Sequence, residues 1–233
     1  AAVYLALLSS SPLEVQTLLA FVGAWLALML VMRLGLSGSS LHAMSFLILA
    51  GIAVNVMANA LIGLLAYIAS DSALRQITFW SLGSLSGANW YWVSVLALLL
   101  LAACCYWPAR LRQLDALLLG VTEARSMGIE VQKLQQRSVL WVALMVSLAV
   151  SACGVIGFVG LVSPHMARVL IGASHRRVLP LAVAMGGCLM VLAEALARSV
   201  ISPAELPIGI VTSLVGAPVF IALLMREKRR LSW

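Results

Sequence analysis

The amino-acid sequence predicts an all-α integral membrane protein. Of its 233 residues, 63% are apolar and only 10% are charged, whereas a soluble domain has about 25% charged residues. The mean hydropathy is +1.08, and the apolar stretches approach the roughly 20 residues that a spanning helix requires. Because open strands cannot satisfy their backbone hydrogen bonds in lipid, helices are the expected elements.

Seven apolar stretches, preceded by a partial one, are the candidate spans. They run over Ala1–Leu8 (partial), Leu18–Met32, Leu41–Ala69, Tyr91–Trp107, Val139–Ala152, Gly154–Ile171, Val178–Ala197 and Ile208–Leu224. The opening segment has no initiator methionine, basic region or cleavage site, so it is not typical of a signal peptide. We interpret it as the end of a helix and expect the chain to lack an N-terminal part. No linker interrupts the chain, which predicts one transmembrane domain over 1–233.

The basic residues predict the orientation of the chain in the membrane. If the connection between Met32 and Leu41 is cytoplasmic and the spans alternate, all but two of the 15 lysines and arginines lie on the cytoplasmic side. The two exceptions are Arg75 and Arg198. This positive-inside bias predicts a cytoplasmic C-terminus, and it explains the net charge of +7 without nucleic-acid binding.

Two connections between spans are long enough to hold structure of their own. Residues 70–90, on the predicted outer side, favour a short helix at the membrane interface followed by a turn. Trp80, Trp90 and Trp92 in and beside it are typical of interfacial anchors.

The second connection, residues 109–137, is the longest polar stretch and contains a predicted two-turn helix. Gly120 and Gly128 bracket this helix; Thr122 is the expected N-cap, and Gly128 the expected stop. Val121, Ala124 and Met127 recur every three residues as an apolar face. From spacing alone, the helix either packs on its own domain or on headgroups, or it enters a groove of a partner.

Ionisable and amide groups inside predicted spans are candidate functional residues. Glu194 and Arg198 are four residues apart, so they can pair on one helix face; alternatively, Arg198 docks an acidic partner from outside. Asn55 and Asn59 have the same spacing and either line a pathway or hydrogen-bond between helices.

The residues before the last span predict its beginning. Glu205 is expected to complement the helix N-terminus, and Pro207 is expected in its first turn. Further upstream, Gly154, Gly157 and Gly160 precede Pro164, a pattern that predicts a broken or late-starting helix.

His165 is a candidate metal ligand or general base, but the pattern supports neither role. His42 and His175 are expected in loops, no Cys or carboxylate lies at ligand spacing, and no HExxH motif occurs. We therefore predict no catalytic residue and no metal site. The cysteines, which lack zinc spacing, are interpreted as packing residues: Cys104, Cys105, Cys153 and Cys188.

Several longer segments together resemble a known family. They are "FWSLGSLSGANW", "LDALLLGVTEARSMGI", "GVIGFVGLVSPHMARVLIGASHRRVLPLAVAMGG" and "LAEALARSVISPAELPIGIVTSLVGAPVFIALL". In this order they resemble the FecCD/BtuC-type permeases of bacterial ABC importers, which take up iron-siderophores, haem and cobalamin. The resemblance covers nearly the whole chain, and relative to the family the first two spans and most of the third are missing.

The resemblance implies a permease of the ABC type II importer class, with about ten spans in the family and seven to eight in this chain. It implies a homodimer in the lipid bilayer of the bacterial inner membrane, two ATP-binding cassette subunits and a periplasmic binding protein. ATP and magnesium would then be bound by the ATPase subunits, and this chain would hold no cofactor and be no enzyme.

The resemblance also assigns roles to residues. Residues 120–128 become the cytoplasmic coupling helix, and Arg198 becomes a docking residue for the binding protein. The helix that holds Asn55 and Asn59 and the helix Ile208–Leu224 resemble those that flank the pathway. The coupling residues are Gly120, Val121, Thr122, Glu123, Ala124, Arg125, Ser126, Met127 and Gly128. Pro164 and His165 are expected to terminate the glycine-rich segment and to place Arg168 at the cytoplasmic face.

The cargo is expected to be an iron chelate, either haem or a ferric siderophore, on the basis of "WSLGSLSGANW". Cobalamin is the alternative within the family. A secondary transporter driven by an ion gradient is the rival from another class, although Glu194 is the sole acid in a predicted span. An intramembrane enzyme is a further rival, and the absence of an HExxH motif speaks against it.

Overall fold

A computed structural model describes residues 13–35, 43–200 and 206–231 of the chain, and these residues contain helices but no strand. The helices, in chain order, are α1 (Leu13–Gly35), α2 (Ala43–Ile68), α3 (Asp71–Leu82), α4 (Trp90–Tyr106), α5 (Leu111–Ala116), α6 (Val121–Ser126), α7 (Val131–Cys153), α8 (Val159–Ile171), α9 (His175–Val200) and α10 (Ile208–Leu231). A 3₁₀ turn over Leu117–Leu119 connects α5 to α6.

Each of the seven full apolar stretches overlaps a helix, although the helix in Gly154–Ile171 begins only at Val159, and Ala1–Leu8 lies outside the described residues. By length and hydropathy, three of the described helices can cross a membrane: Phe46–Ile68, Val131–Cys153 and His175–Val200. Trp90–Tyr106 continues into Leu111–Leu119 with a bend of 68°, and this pair is a fourth if counted as one span. The shorter apolar helices are Phe21–Leu34, Val159–Ile171 and Ile208–Leu223.

The chain divides into two compact units, and the first contains Ala1–Ser81 and Leu140–Ala152. Within it, α1 packs against α2. Leu65 and Ile77 are buried together, and Trp80 packs against them. The short helix predicted in residues 70–90 is therefore present as α3, and its Trp80 packs within the first unit.

The second unit contains Leu82–Val139 and Cys153–Trp233. Its α8, α9 and α10 pack against one another, and α5 packs against α9. Small residues make the close packing of α8 and α9 possible: a Cβ added at Gly186 would lie 3.4 Å from Ser163 Oγ. Close approach through small side chains is typical of helices in a membrane. That the whole chain, 1–233, forms one transmembrane domain stays a prediction.

The chain between α7 and α8 is not helical, as the glycine pattern predicted. Gly154 has a positive φ of 73°, and Phe158, which is not a glycine, has a φ of 66°. A Cβ at Gly209, near the start of α10, would collide with the backbone oxygen of Leu82. Irregular backbone and close helix approach thus meet in one place, because glycine leaves room for the neighbouring chain.

The role predicted for Pro164 and His165 is wrong in one respect. The irregular segment ends at Phe158, and Pro164 lies inside α8 instead of terminating that segment. Proline removes one helical hydrogen bond, here the bond to the carbonyl of Gly160, yet the helix continues to Ile171 because it is packed against α9 and α10. Arg168 is exposed in the last turn of α8.

Candidate functional site

Gly120 is the N-cap of α6, directly before Val121, and its φ of 127° favours glycine. The Gly120 carbonyl accepts the N–H of Ala124 at 3.1 Å. The prediction that Thr122 is the N-cap is wrong, because Thr122 lies inside the helix and its carbonyl accepts a hydrogen bond from Ser126 Oγ at 3.1 Å. A Cβ at Gly120 would meet the end of the Glu123 side chain, which can move aside, so it is the positive φ that makes any other residue strained here.

The other end of α6 is closed by Gly128, as predicted. Gly128 has a φ of 79°. Its N–H donates to the Arg125 carbonyl at 2.9 Å, and the N–H of Ile129 donates to the Ala124 carbonyl at 3.1 Å. This pair of bonds is the Schellman arrangement that satisfies the last carbonyls of a helix. The two glycines therefore set both ends of a six-residue helix.

The predicted apolar face of α6 is divided between the protein and the surroundings. Ala124 is fully buried, whereas Val121 is 40% and Met127 is 64% exposed. Leu118 and Leu119 in the preceding 3₁₀ turn are exposed as well. The segment thus packs inward through Ala124 and presents several apolar side chains that the described chain leaves uncovered.

The position of α5, and with it α6, is fixed by a corner at the end of α4. Arg110 Nη1 donates to the Tyr106 carbonyl at 2.9 Å, and the guanidinium lies 3.7 Å from the centre of the Tyr106 ring. A cation over the face of an aromatic ring is attracted to it, and this attraction stabilises the corner between α4 and α5. Beyond this corner, α5 runs along α9.

Asp115 of α5 binds the N-terminal end of α9. Its Oδ1 accepts the backbone N–H of His175 at 2.7 Å and lies 2.8 Å from His175 Nδ1. Its Oδ2 accepts a hydrogen bond from Ser174 Oγ at 3.0 Å. A carboxylate here satisfies unpaired N–H groups and complements the helix dipole. His175, predicted in a loop, is the first residue of α9.

The pKa of Asp115 reflects these contacts. Partial burial of the carboxyl acts to raise its pKa, but the hydrogen bonds from the backbone and ring of His175 and from Ser174 outweigh burial and hold the pKa below its ordinary value. Sequence reasoning missed Asp115. The available signal was Ser174, a typical N-cap residue directly before the helix, but its partner is 59 residues away in the sequence.

The C-terminal end of α9 has a different arrangement. Arg198 Nε donates to Glu194 Oε1 at 2.7 Å, so the predicted pair on one helix face is confirmed. The Arg198 side chain is 56% exposed and the Glu194 side chain 20%. Glu205 lies outside the described residues. Pro207 stands immediately before α10 instead of within its first turn, and its carbonyl accepts the N–H of Ile210 at 3.1 Å.

The remaining predicted residues lie on separate elements. Asn59 Nδ2 donates to Asn55 Oδ1 along α2, and both residues are exposed. The His165 ring makes an edge contact with Phe220, with 6.2 Å between the ring centres. His42 lies outside the described residues. Among the described residues, no group of three histidines, cysteines or acids can hold a metal ion.

Comparisons with known proteins agree with the resemblance seen in the sequence. Residues 1–226 match the model of the FecCD transport family. The hemin transport system permease protein HmuU of Yersinia pestis is 44% identical over 80% of this chain and 56% of the relative. The vitamin B12 import system permease protein BtuC of Vibrio cholerae serotype O1 is 38% identical over 78% of this chain and 54% of the relative.

A solved structure has the same fold. It is described as a metal-chelate type ABC transporter in an inward-facing conformation, and it matches with a TM-score of 0.88 and 30% identity over 97% of this chain and 71% of that one. The chain spans about half the length of the curated relatives it matches. The predicted all-α, multi-span fold is confirmed, and the match over nearly the whole sequence shows that the chain belongs to the FecCD transport family.

Proposed function

We propose that the chain is the membrane permease subunit of an ATP-driven ABC importer, located in the bacterial inner membrane with its C-terminus in the cytoplasm. The observation that carries this proposal is α6, a six-residue helix set between two glycines with positive φ and bearing exposed apolar side chains. A solvent-facing helix of this kind is suited to the groove of another protein. The relatives that match are permeases of hemin and vitamin B12 transport systems.

In this proposal α6 is the coupling helix and enters a cleft of the ATP-binding cassette subunit. Met127 and Val121 would supply apolar contacts, and the exposed Glu123 and Arg125 would supply polar contacts at the rim. ATP and magnesium belong to the ATPase subunit, and this chain contributes no catalytic group. Binding of ATP then biases the permease between two conformations through the coupling helix.

A second copy of the chain completes the pathway in this proposal. The exposed side of α2 carries apolar residues such as Ile52 and Val56 together with the amides of Asn55 and Asn59. A mostly apolar wall with a few amides suits a large chelate better than a small ion. We therefore propose that two α2 helices flank the pathway of a homodimer in the lipid bilayer.

The proposed cargo is an iron chelate, haem or a ferric siderophore. The relative with 44% identity is named for hemin transport, which favours haem. The relative with 38% identity is named for vitamin B12 import, which makes cobalamin the second candidate. Reconstituting the full-length permease with its ATPase and binding protein, and titrating haem, ferric siderophores and cobalamin, tests the choice. We expect one ligand to stimulate ATP hydrolysis; failure of any ATPase to associate would favour a gradient-driven transporter.

The coupling role of α6 has its own test. The double variant Glu123→Arg with Met127→Asp reverses a rim charge and introduces a charge into the apolar contact, so we expect co-purification of the ATPase to fall at least about tenfold. Glu130→Ala, which removes an exposed carboxylate outside α6 that pairs with Lys133 at 2.7 Å, is the control. Normal association of the double variant would contradict this role.

Arg198 is the proposed docking residue for the periplasmic binding protein. It is an exposed cation at the C-terminal end of α9, and an acidic partner would meet it in water. Replacing it by alanine should lower the affinity of the binding protein, and the loss should shrink as salt is raised. Equal affinities of the variant and the wild type at low salt would remove this role.

A further inference from the structure

The coupling helix is joined to α9 by a short and continuously hydrogen-bonded segment. The N–H of Gly120 donates to the Leu117 carbonyl at 3.2 Å, and the Gly120 carbonyl accepts from Ala124. The helix α6 packs on the 3₁₀ turn and on α5, and α5 packs on α9. No flexible linker therefore separates Asp115 of α5 from the exposed side chains of α6.

Asp115 closes this connection with hydrogen bonds to two consecutive residues. Ser174 Oγ and the backbone N–H of His175 donate to its two oxygens, and the His175 ring nitrogen lies beside Oδ1. These residues are the last one before α9 and the first one in it. Bonds to a charged carboxylate are shorter and stronger than bonds between neutral groups.

The first turns of α9 depend more than usual on such a contact. Pro180 lies inside the helix and has no N–H, so the carbonyl of Arg176 lacks its usual partner. Unpaired N–H groups at the start of a helix also need an acceptor outside it. Asp115 supplies this acceptor from another element, which fixes the N-terminal end of α9 to α5.

The helix α9 connects two distant surfaces of the second unit. It has 26 residues, so it is about 39 Å long. Its far end carries Arg198, and along its length it packs against α8 and α10, with Gly186 facing Ser163 of α8. A displacement at its N-terminal end is passed along such a helix as a movement of the whole packed group.

We propose that Asp115 is a positioning residue that transmits the movement of the coupling helix to α9, so that the cargo transported per ATP hydrolysed falls when its bonds to Ser174 and His175 are lost. This inference rests on the proposed function. The contact of Asp115 with Ser174 and His175 is then what makes α6 and the transmembrane helices move together. Asp115 touches neither ATP nor cargo in this role.

The test uses the full-length permease with its ATPase and binding protein in proteoliposomes. Four quantities are measured: co-purification of the ATPase, basal ATP hydrolysis, stimulation by the loaded binding protein, and cargo transported per ATP hydrolysed. The variants are Asp115→Ala, Asp115→Asn and Ser174→Ala, and Glu130→Ala is the control for loss of a carboxylate.

We expect Asp115→Ala to assemble and hydrolyse ATP like the wild type, with cargo transported per ATP reduced about tenfold, within the range of typical coupling effects. Asp115→Asn should lose less than about threefold, because its amide oxygen still accepts the His175 N–H. Ser174→Ala should fall between the wild type and Asp115→Ala, because it removes one of the bonds.

Two results would overturn the inference. The first is an assembled Asp115→Ala complex that transports as much cargo per ATP as the wild type. The second applies if Asp115→Ala fails to assemble: wild-type transport per ATP in both Asp115→Asn and Ser174→Ala then refutes the role. If the wild-type chain itself binds no ATPase, the proposed function fails. That result differs from one in which the wild type and the variants all assemble and transport the same amount of cargo per ATP, which refutes only the role of Asp115.

Discussion

The two ends of α9 are both held by a carboxylate, but in different ways. At the C-terminal end, Glu194 pairs with Arg198 within one helix. At the N-terminal end, Asp115 comes from another helix and binds Ser174 and His175 across 59 and 60 residues of sequence. The first contact depends only on helical spacing, whereas the second exists only because α5 packs on α9.

This difference matches the two roles proposed for the ends of α9. The pair within one helix leaves the Arg198 side chain 56% exposed at the surface, where the proposed binding protein would meet it. A contact between two elements makes their positions interdependent, so it can carry a movement from one to the other. The same chemical pairing of carboxylate and donor is thus compatible with the proposed docking at one end and with the proposed transmission at the other.

The largest effect on stability is expected at the N-terminal end. Asp115→Ala removes the acceptor for the first N–H of α9, and we expect the free energy of unfolding to fall by about 1–2 kcal/mol, the usual cost of a lost N-cap. Denaturant unfolding of the purified chain in mild detergent measures this cost. Glu130→Ala, the control, removes an ion pair with Lys133 in which both side chains are exposed, so it should shift the midpoint much less than Asp115→Ala. If Asp115→Ala unfolds at the same midpoint too, the contrast between the two ends of α9 is wrong.

A smaller effect is expected from pH at the same place. Because folding lowers the pKa of Asp115, its contribution to stability is complete above the ordinary carboxyl value of 3.8 and is lost as the pH falls through the lowered pKa. The wild type should therefore be more stable than Asp115→Asn at pH 7, and this difference should shrink on acidification below 3.8. A difference that stays constant down to the acid limit would show that the charge of Asp115 is not involved.

The smallest effect is expected at the C-terminal end. A double-mutant cycle of Glu194→Gln and Arg198→Gln should give a coupling energy of only about 0.3–0.5 kcal/mol, as for other exposed pairs at this spacing. This coupling should weaken with added salt. A coupling energy larger than that between Asp115 and Ser174, measured in the same way, would reverse the comparison of the two ends.

The helices and several of their ends could be predicted from sequence because they depend on near neighbours. Gly128 was recognised as the stop of α6 since a helix end favours a glycine with positive φ. The late start of α8 followed from the glycines around residue 157 in the same way. Thr122 misled the prediction, because Gly120, two residues earlier, provides the start of the helix without a side-chain cap.

The errors at Pro164 and His175 have a tertiary cause. Proline inside a helix costs about 3 kcal/mol or more in isolation, yet α8 continues through Pro164 because it is packed against α9 and α10. His175 begins a helix because Asp115 satisfies its N–H. The helices that pack against α8 and the carboxylate that binds His175 are too far away in the sequence to be part of a periodic pattern.

The sequence by itself determined the class of the protein, its apolar helices, the glycine limits of α6 and the pair of Glu194 and Arg198. Each of these depends on composition or on residues within about four positions of one another, where helical geometry is fixed. Only the tertiary structure decided that Asp115 meets the start of α9 and that Gly209 faces the backbone of Leu82. Such contacts result from how whole helices pack, which is set by many weak side-chain contacts acting together.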